Sequence, residues 1–137
     1  MTKNDILKAL DELGFKVESL NERFYHFEFE GLNYLYSYDE DDDDFLHISI
    51  PSIFEVTDDN IDMVLPVISQ ANNIIKYAKI IYSQDMVFAT FEYPLFDWVN
   101  LEDVIEFAVR VLQSAAITFN RILRGEYDNN DGEEVMQ

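Results

Sequence analysis

Two histidines are the residues of this chain best suited to chemistry near neutral pH. His26 and His47 each lie on the polar side of an alternating strand pattern, and Glu28 shares that side with His26. Two imidazoles and a carboxylate would give zinc three protein ligands and leave a fourth position open for water. Nothing in the spacing requires the three residues to meet. A metal-dependent enzyme is therefore one hypothesis for this sequence.

A run of acidic residues, Asp39–Asp44, could bind a hard cation, because carboxylates are the ligands that Ca²⁺ and Mg²⁺ prefer. The run does not follow the EF-hand pattern, since Asp44 stands where that pattern requires glycine and Ile50 stands where it requires glutamate. We expect a solvated hairpin turn instead, whose like charges keep neighbouring strands from pairing with other chains. The sequence thus predicts no metal site and no cofactor.

Nucleophilic catalysis has little support in the sequence. The chain has no cysteine and only four glycines, with neither a G-x-S-x-G elbow nor a glycine-rich phosphate loop. Carboxylates are too abundant for any pair of them to be diagnostic. We therefore predict a protein that is not an enzyme.

The elements that would position these residues begin with a short amphipathic helix from Asn4 to Leu13, which Gly14 would end. Aromatic and β-branched residues then alternate with polar ones, as is typical of an antiparallel meander. The predicted strands are Phe15–Ser19, Tyr25–Phe29, Leu32–Tyr38 and Leu46–Ile50, with a further short strand possible at Ile53–Val56. We expect Glu30-Gly31 to form a tight turn and Pro51 to end its strand.

A helix follows the capping residues 57–60 and continues to Ile75, with Pro66 expected to bend it or to delay its start. A second hairpin joins Lys79–Ser83 to Met86–Tyr93. The order of elements predicts an α+β fold, α-βββ(β)-α-ββ-α, in which an antiparallel sheet of about five strands carries its helices on one face. We predict one domain, residues 1–125, and a disordered acidic tail, residues 126–137.

The closing helix is predicted between the cap Asn100 and Gly125. Its apolar surface is wider than the single stripe that a surface helix needs. Either the helix lies under another helix, or part of it is a subunit interface. The residues of the second stripe, which we predict as a possible dimer interface, are Val104, Phe107, Val111 and Ile117.

Charge excludes several partners. The 137 residues contain 28 acidic and 9 basic side chains, a net charge of −19. Such a surface repels nucleic acid and anionic lipid, so neither is an expected partner. No apolar run is long enough for a membrane span, and the first residues lack the features of a signal peptide. Together with the missing cysteines, this predicts a cytoplasmic protein.

The order of elements, the size and the acidity resemble those of the YbjN-like family, within the broader type III secretion chaperone-like fold. The resemblance rests on the strand end Ile48-Ser49-Ile50-Pro51, the helix Asn60–Tyr77 with Asn72-Asn73 before Lys76, the hairpin from Lys79, and the long closing helix. It implies an α+β sandwich, frequent dimerisation, and binding or regulation rather than catalysis. Secretion chaperones of this fold hold extended segments of client proteins.

The leading hypothesis is a non-enzymatic protein-binding or regulatory module that acts as a homodimer through part of the closing helix, and a chaperone-like role is one form of this hypothesis. One alternative is a metal-dependent enzyme or cation-binding protein that uses His26, His47 and the acidic run. Another is an acidic mimic of nucleic acid, which would capture a basic nucleic-acid-binding protein. The acids lie in predicted turns and a tail rather than along a helix face, which counts against mimicry.

Overall fold

The computed structural model describes residues 1–126, which contain three α-helices and six strands. The helices are α1 (Lys3–Glu12), α2 (Ile61–Ile74) and α3 (Leu101–Leu123). The strands are β1 (Glu18–Ser19), β2 (Phe24–Phe29), β3 (Leu32–Ser37), β4 (Phe45–Glu55), β5 (Ala78–Ser83) and β6 (Met86–Pro94). The α+β class and the element order are confirmed, and the sheet has one strand more than the five expected. The predicted tail lies outside the described residues, apart from Glu126.

The strands form one antiparallel sheet in the order β1-β2-β3-β4-β6-β5. The first four strands are neighbours in chain order, as in a meander. The second hairpin then adds through β6, which pairs with β4 and leaves β5 at the edge of the sheet. The two edges of the sheet are therefore the two-residue strand β1 and the six-residue strand β5.

Two turns of the meander form as predicted. Glu30 and Gly31 both have positive φ, 48° and 80°, and so make a tight turn between β2 and β3. The acidic run connects β3 to β4 and contains a single turn of 3₁₀ helix, Glu40–Asp42. The Asp39 carboxylate caps that turn by accepting a hydrogen bond from the Asp41 backbone N–H at 3.0 Å.

Two strand predictions were wrong. Pro51 does not end its strand, because β4 continues past it to Glu55 with a register shift between Ile50 and Phe54. Proline is tolerated there since a shifted register leaves residues outside the ladder. The predicted strand Phe15–Ser19 is reduced to the two residues of β1.

Side chains cap the N-termini of α1 and α3, the latter at Asn100 as predicted. Thr2 and Asp5 form a reciprocal capping box. The Asn100 side chain accepts a hydrogen bond from the Asp103 N–H at 3.1 Å. Helix α2 begins at Ile61 and is continuous through Pro66, so the proline does not delay its start.

One face of the sheet packs on all three helices, as predicted. Its buried side chains join those of the helices in a single hydrophobic cluster. Helix α3 contributes most, contacting α1, α2 and strands β4 to β6. The sheet residues of the cluster are Tyr25, Phe27, Tyr34, Tyr36, Leu46, Ile48, Ile50, Ala78, Ile80, Val87, Ala89 and Phe91.

Candidate functional site

The predicted interface residues of α3 differ in their exposure and in the side of the helix on which they lie. Val104 and Val111 are half-buried and pack against the core, whereas Phe107 is 43% exposed and Ile117 is 51% exposed. The spacing of ten residues places Ile117 about 80° around the helix from Phe107. Val104 and Val111 lie three residues before and four after Phe107, on the same side of the helix. The structure thus brings three of the four residues together.

The Phe107 ring is held by two other aromatic rings. It packs edge-on against Phe91 of β6, with ring centroids 6.0 Å apart, and against Tyr77, with centroids 5.0 Å apart. Phe91 belongs to the buried core, whereas Tyr77 is 68% exposed. We call the residues Tyr77, Val104, Phe107 and Val111 the Phe107 surface. It is an exposed apolar surface that rests directly on the core.

Tyr77 has a backbone conformation that L-residues rarely adopt. It lies between α2 and β5 with a φ of 69°. For a residue with a bulky side chain, the left-handed region costs about 1–2 kcal/mol. The surrounding fold meets this cost and holds an exposed aromatic ring against Phe107. Sequence reasoning missed Tyr77 as a site residue. The clue in the sequence was an aromatic residue in the short connection from a helix to a strand.

A second exposed aromatic pair, also missed, lies in the connection between β6 and α3. The rings of Phe96 and Trp98 stack with centroids 5.3 Å apart and an interplanar angle of 13°. Trp98 is 77% exposed, and Phe96 is also exposed. The available signal was a pair of aromatics flanking Asp97 in a segment without helix or strand periodicity.

The structure does not bring the two histidines together. His26 lies on β2 and His47 on β4, with β3 between them. The Nε2 atom of His26 is 2.8 Å from Asn33 Oδ1, on the neighbouring strand. The hypothesis of a joint zinc site at His26, His47 and Glu28 was therefore wrong.

His47 has partners of its own on β6. Its Nε2 atom lies 2.7 Å from Thr90 Oγ1 and 3.8 Å from Glu92 Oε1. Within residues 1–126, no group of three His, Asp or Glu side chains is arranged to hold a metal ion. The arrangement around His47 is a side-chain network across two strands of an open sheet face.

The acidic run is organised by hydrogen bonds and one ion pair. An Asp39 carboxylate oxygen lies 3.9 Å from an Arg23 guanidinium nitrogen, and both side chains are largely exposed. Such a pair adds little stability because solvent screens it. The run therefore has the geometry of the solvated turn that its composition predicts.

Comparisons with known proteins identify the fold. No protein-family model and no curated protein matches the chain. Two solved structures match over most of its length, each with a TM-score of 0.64. One, an uncharacterised protein from Methanothermobacter thermautotrophicus, is 13% identical and aligns over 93% of this chain and 100% of its own. The other is YbjN from E. coli, a proposed transcription regulator, which is 12% identical and aligns over 85% of this chain and 87% of its own.

The chain has a YbjN-like fold. At 12–13% identity the likeness concerns the fold alone. It confirms the YbjN-like part of the resemblance, while the resemblance to secretion chaperones stays a prediction. In residues 1–126, no helix has both the length and the apolar character that a membrane span requires.

Proposed function

We propose that this chain is a non-enzymatic, cytoplasmic protein-binding or regulatory module that acts as a homodimer through the Phe107 surface. The observation that carries the proposal is the exposed ring of Phe107, which packs against the buried ring of Phe91 and against the exposed ring of Tyr77. Aromatic residues are enriched at protein interfaces, and those anchored in packed surroundings contribute most to affinity. A strained backbone at Tyr77 supports the same proposal, because strain is often kept at functional positions.

A regulatory role agrees with the comparison to YbjN, which is itself a proposed transcription regulator. The charge of −19 opposes direct contact with nucleic acid, so regulation would act through a protein partner. A chaperone-like role would use the same surface, with an apolar client segment in place of the second copy. The metal-dependent alternative gains no support from the separate environments of His26 and His47.

Light scattering during size-exclusion chromatography tests the homodimer. We expect the wild-type protein at tens of micromolar to have twice the mass of one chain. Phe107→Ser should shift the protein to the monomer, because it removes the ring that projects from α3. Ile117→Ser is the matched control, since it removes an exposed apolar side chain from another side of the same helix.

Tyr77→Gly guards against the possibility that Phe107→Ser simply unfolds the protein. Glycine adopts a φ of 69° without strain, so this change removes the exposed ring while the fold is kept. It should also give the monomer. A wild-type protein that is monomeric throughout would contradict the homodimer, and so would a dimer that both substitutions leave intact.

A further inference from the structure

Three exposed aromatic residues lie at the end of the sheet where β4 begins and β6 ends. Phe45 is the first residue of β4 and is paired in register with Pro94, the last residue of β6. Phe96 and Trp98 follow in the connection to α3, with their rings stacked. All three side chains are exposed, and we call the stacked pair, Phe96 and Trp98, the Trp98 surface. They lie on different elements from the residues of the Phe107 surface.

The Trp98 surface adjoins the acidic turn. The Leu95 N–H donates a hydrogen bond to the Asp44 carbonyl at 2.7 Å, which ties the aromatic connection to the end of the acidic run. Asp97 lies between the two stacked residues. Arg23 pairs with Asp39, at the far end of the run. The connection that carries the stacked rings is therefore joined to the end of the run opposite Asp39.

The chain segments that form this end of the molecule carry no lysine or arginine of their own. Positive charge reaches it from elsewhere, since Arg23 lines a groove with Phe45 and Lys8 lines a groove with Val99. No lysine or arginine occurs between Arg23 and Lys76, and none occurs between Lys79 and Arg110. These two long stretches supply the acidic turn, β4, β6 and the aromatic connection. An exposed tryptophan in a predominantly acidic part of the surface attracts cations with apolar stems, because aromatic faces and carboxylates both favour guanidinium and ammonium groups.

We infer that the Trp98 surface binds a basic segment of another protein, one in which arginine or lysine alternates with apolar residues. The inference rests on the proposed function as a protein-binding module and adds a second surface with a partner of stated chemistry. Charge complementarity selects this partner. A second copy of the chain would bring the same carboxylates, and residues 127–137 contain four acids and no base. Like-charge contacts of that kind oppose binding.

Trp98 makes the test direct because it is the single tryptophan of the chain. The probe is a capped hexapeptide of alternating arginine and leucine, titrated against the full-length protein while tryptophan emission is recorded. We expect saturable binding with a change in emission, and an affinity that falls as salt screens the carboxylates. A glutamate–leucine peptide should not bind, and an arginine–serine peptide should bind at least about tenfold more weakly. Failure of the arginine–leucine peptide to bind would overturn the inference.

Calorimetry with substituted proteins locates the site. Trp98→Ala should weaken binding by about tenfold or more, as expected for an aromatic anchor. The charge-removing pair Asp43→Asn and Asp44→Asn should weaken it too. The matched pair Asp58→Asn and Asp59→Asn removes equal charge before α2, where β4 ends rather than begins, and should have little effect. Equal effects of the two pairs would mean non-specific attraction and would contradict the inference.

The outcome is separable from the proposed homodimer. Phe107→Ser should leave binding of the arginine–leucine peptide unchanged. Loss of binding in Phe107→Ser but not in Trp98→Ala would place the peptide on the Phe107 surface and overturn this inference, while the proposed binding function would stand. A fall in the light-scattering mass of Trp98→Ala would show that a second copy occupies the Trp98 surface, which also contradicts the inference.

Discussion

At the scale of single residues, the core contains buried tyrosines whose hydroxyl groups have a raised pKa. The Tyr34 hydroxyl donates a hydrogen bond to the Val109 carbonyl of α3 at 2.9 Å, so a polar group is satisfied within the packed interior. Burial, with a smaller effect of the Glu30 carboxylate, raises the pKa of Tyr34 to about 12. Burial also raises the pKa of Tyr36 above its usual value, and Tyr38 and Tyr25 act in the same direction. The folded protein therefore keeps both hydroxyls protonated where an unfolded chain would ionise them.

This shift predicts alkaline unfolding. An unfolded tyrosine ionises near pH 10, so the stability linked to Tyr34 and Tyr36 is fully present below that pH. Between about pH 10 and pH 12 each tyrosine should lower the free energy of unfolding by about 1.4 kcal/mol per pH unit. Urea unfolding followed by circular dichroism at a series of pH values measures the slope. Tyr34→Phe should reduce it by the share of one tyrosine, and a slope that this substitution leaves unchanged would contradict the assignment.

Sequence reasoning succeeded at residues whose environment follows from local alternation. Phe27, Tyr34 and Tyr36 lie on the buried face, as the period-two pattern of the predicted strands would place them. Tyr77 could not be found in this way, because its place depends on a left-handed backbone that the sequence gives no reason to expect of tyrosine. The partner ring of Phe107 was therefore missed.

At the scale of elements, the edge strand β5 is protected by a side chain of α2. The Asn72 amide acts as a neighbouring strand would, since its Nδ2 donates to the Ile80 carbonyl at 2.9 Å and its Oδ1 accepts from the Ile80 N–H at 2.8 Å. An open strand edge can pair with other chains, and this amide pairs two of its polar groups. The bond from Asn72 to the backbone of β5 is a tertiary contact, so it could not be predicted from the sequence.

Asn72→Ala should leave both Ile80 groups without their partner. We expect the free energy of unfolding to fall by about 1–3 kcal/mol, the usual cost of leaving partly buried polar groups unsatisfied. Asn73→Ala, at the exposed neighbouring position, is the matched control and should change stability far less. Urea unfolding measures both substitutions. Equal losses would show that helix propensity rather than the bond to β5 causes the effect.

Elements were predictable where one periodic pattern covers the whole segment. Helix α3 was placed correctly because apolar residues recur at helical spacing between a capping asparagine and a glycine. Its wide apolar surface was also recognised. The structure shows that α1, α2 and the sheet use much of that width within one chain, so Val104 and Val111 are already half-covered. Strand β4 was divided wrongly at Pro51, because a shifted register depends on its pairing with β6.

At the scale of the whole molecule, the described core lies entirely between Ile6 and Ile122. We propose on this basis that residues 1–125 form the folded domain. Ending the chain after Glu126 removes four acids and no base, so the net charge changes from −19 to −15. Thermal unfolding of this shortened chain should occur at the same temperature as in the full chain, or slightly above it, because self-repulsion is reduced. A clearly lower temperature would mean that residues 127–137 support the fold.

The charge has a different meaning once it is placed on the fold. Summed over the chain, it opposes binding to the phosphate backbone of nucleic acid. Placed on the structure, part of it stands beside exposed aromatic rings, where it favours a basic partner segment. The sequence predicted the acidic turn itself, but it could not show that the turn is bonded to the connection that carries Trp98, because the Asp44–Leu95 bond joins segments about fifty residues apart.

Contacts between chains at the Phe107 surface are the central claim, and an isotope-filtered nuclear Overhauser spectrum of mixed ¹³C-labelled and unlabelled protein observes them directly. We predict cross-peaks between chains from the rings of Tyr77 and Phe107 and from the methyl groups of Val104 and Val111. Cross-peaks between chains that arise only from other surfaces, or a spectrum without any, would contradict the account.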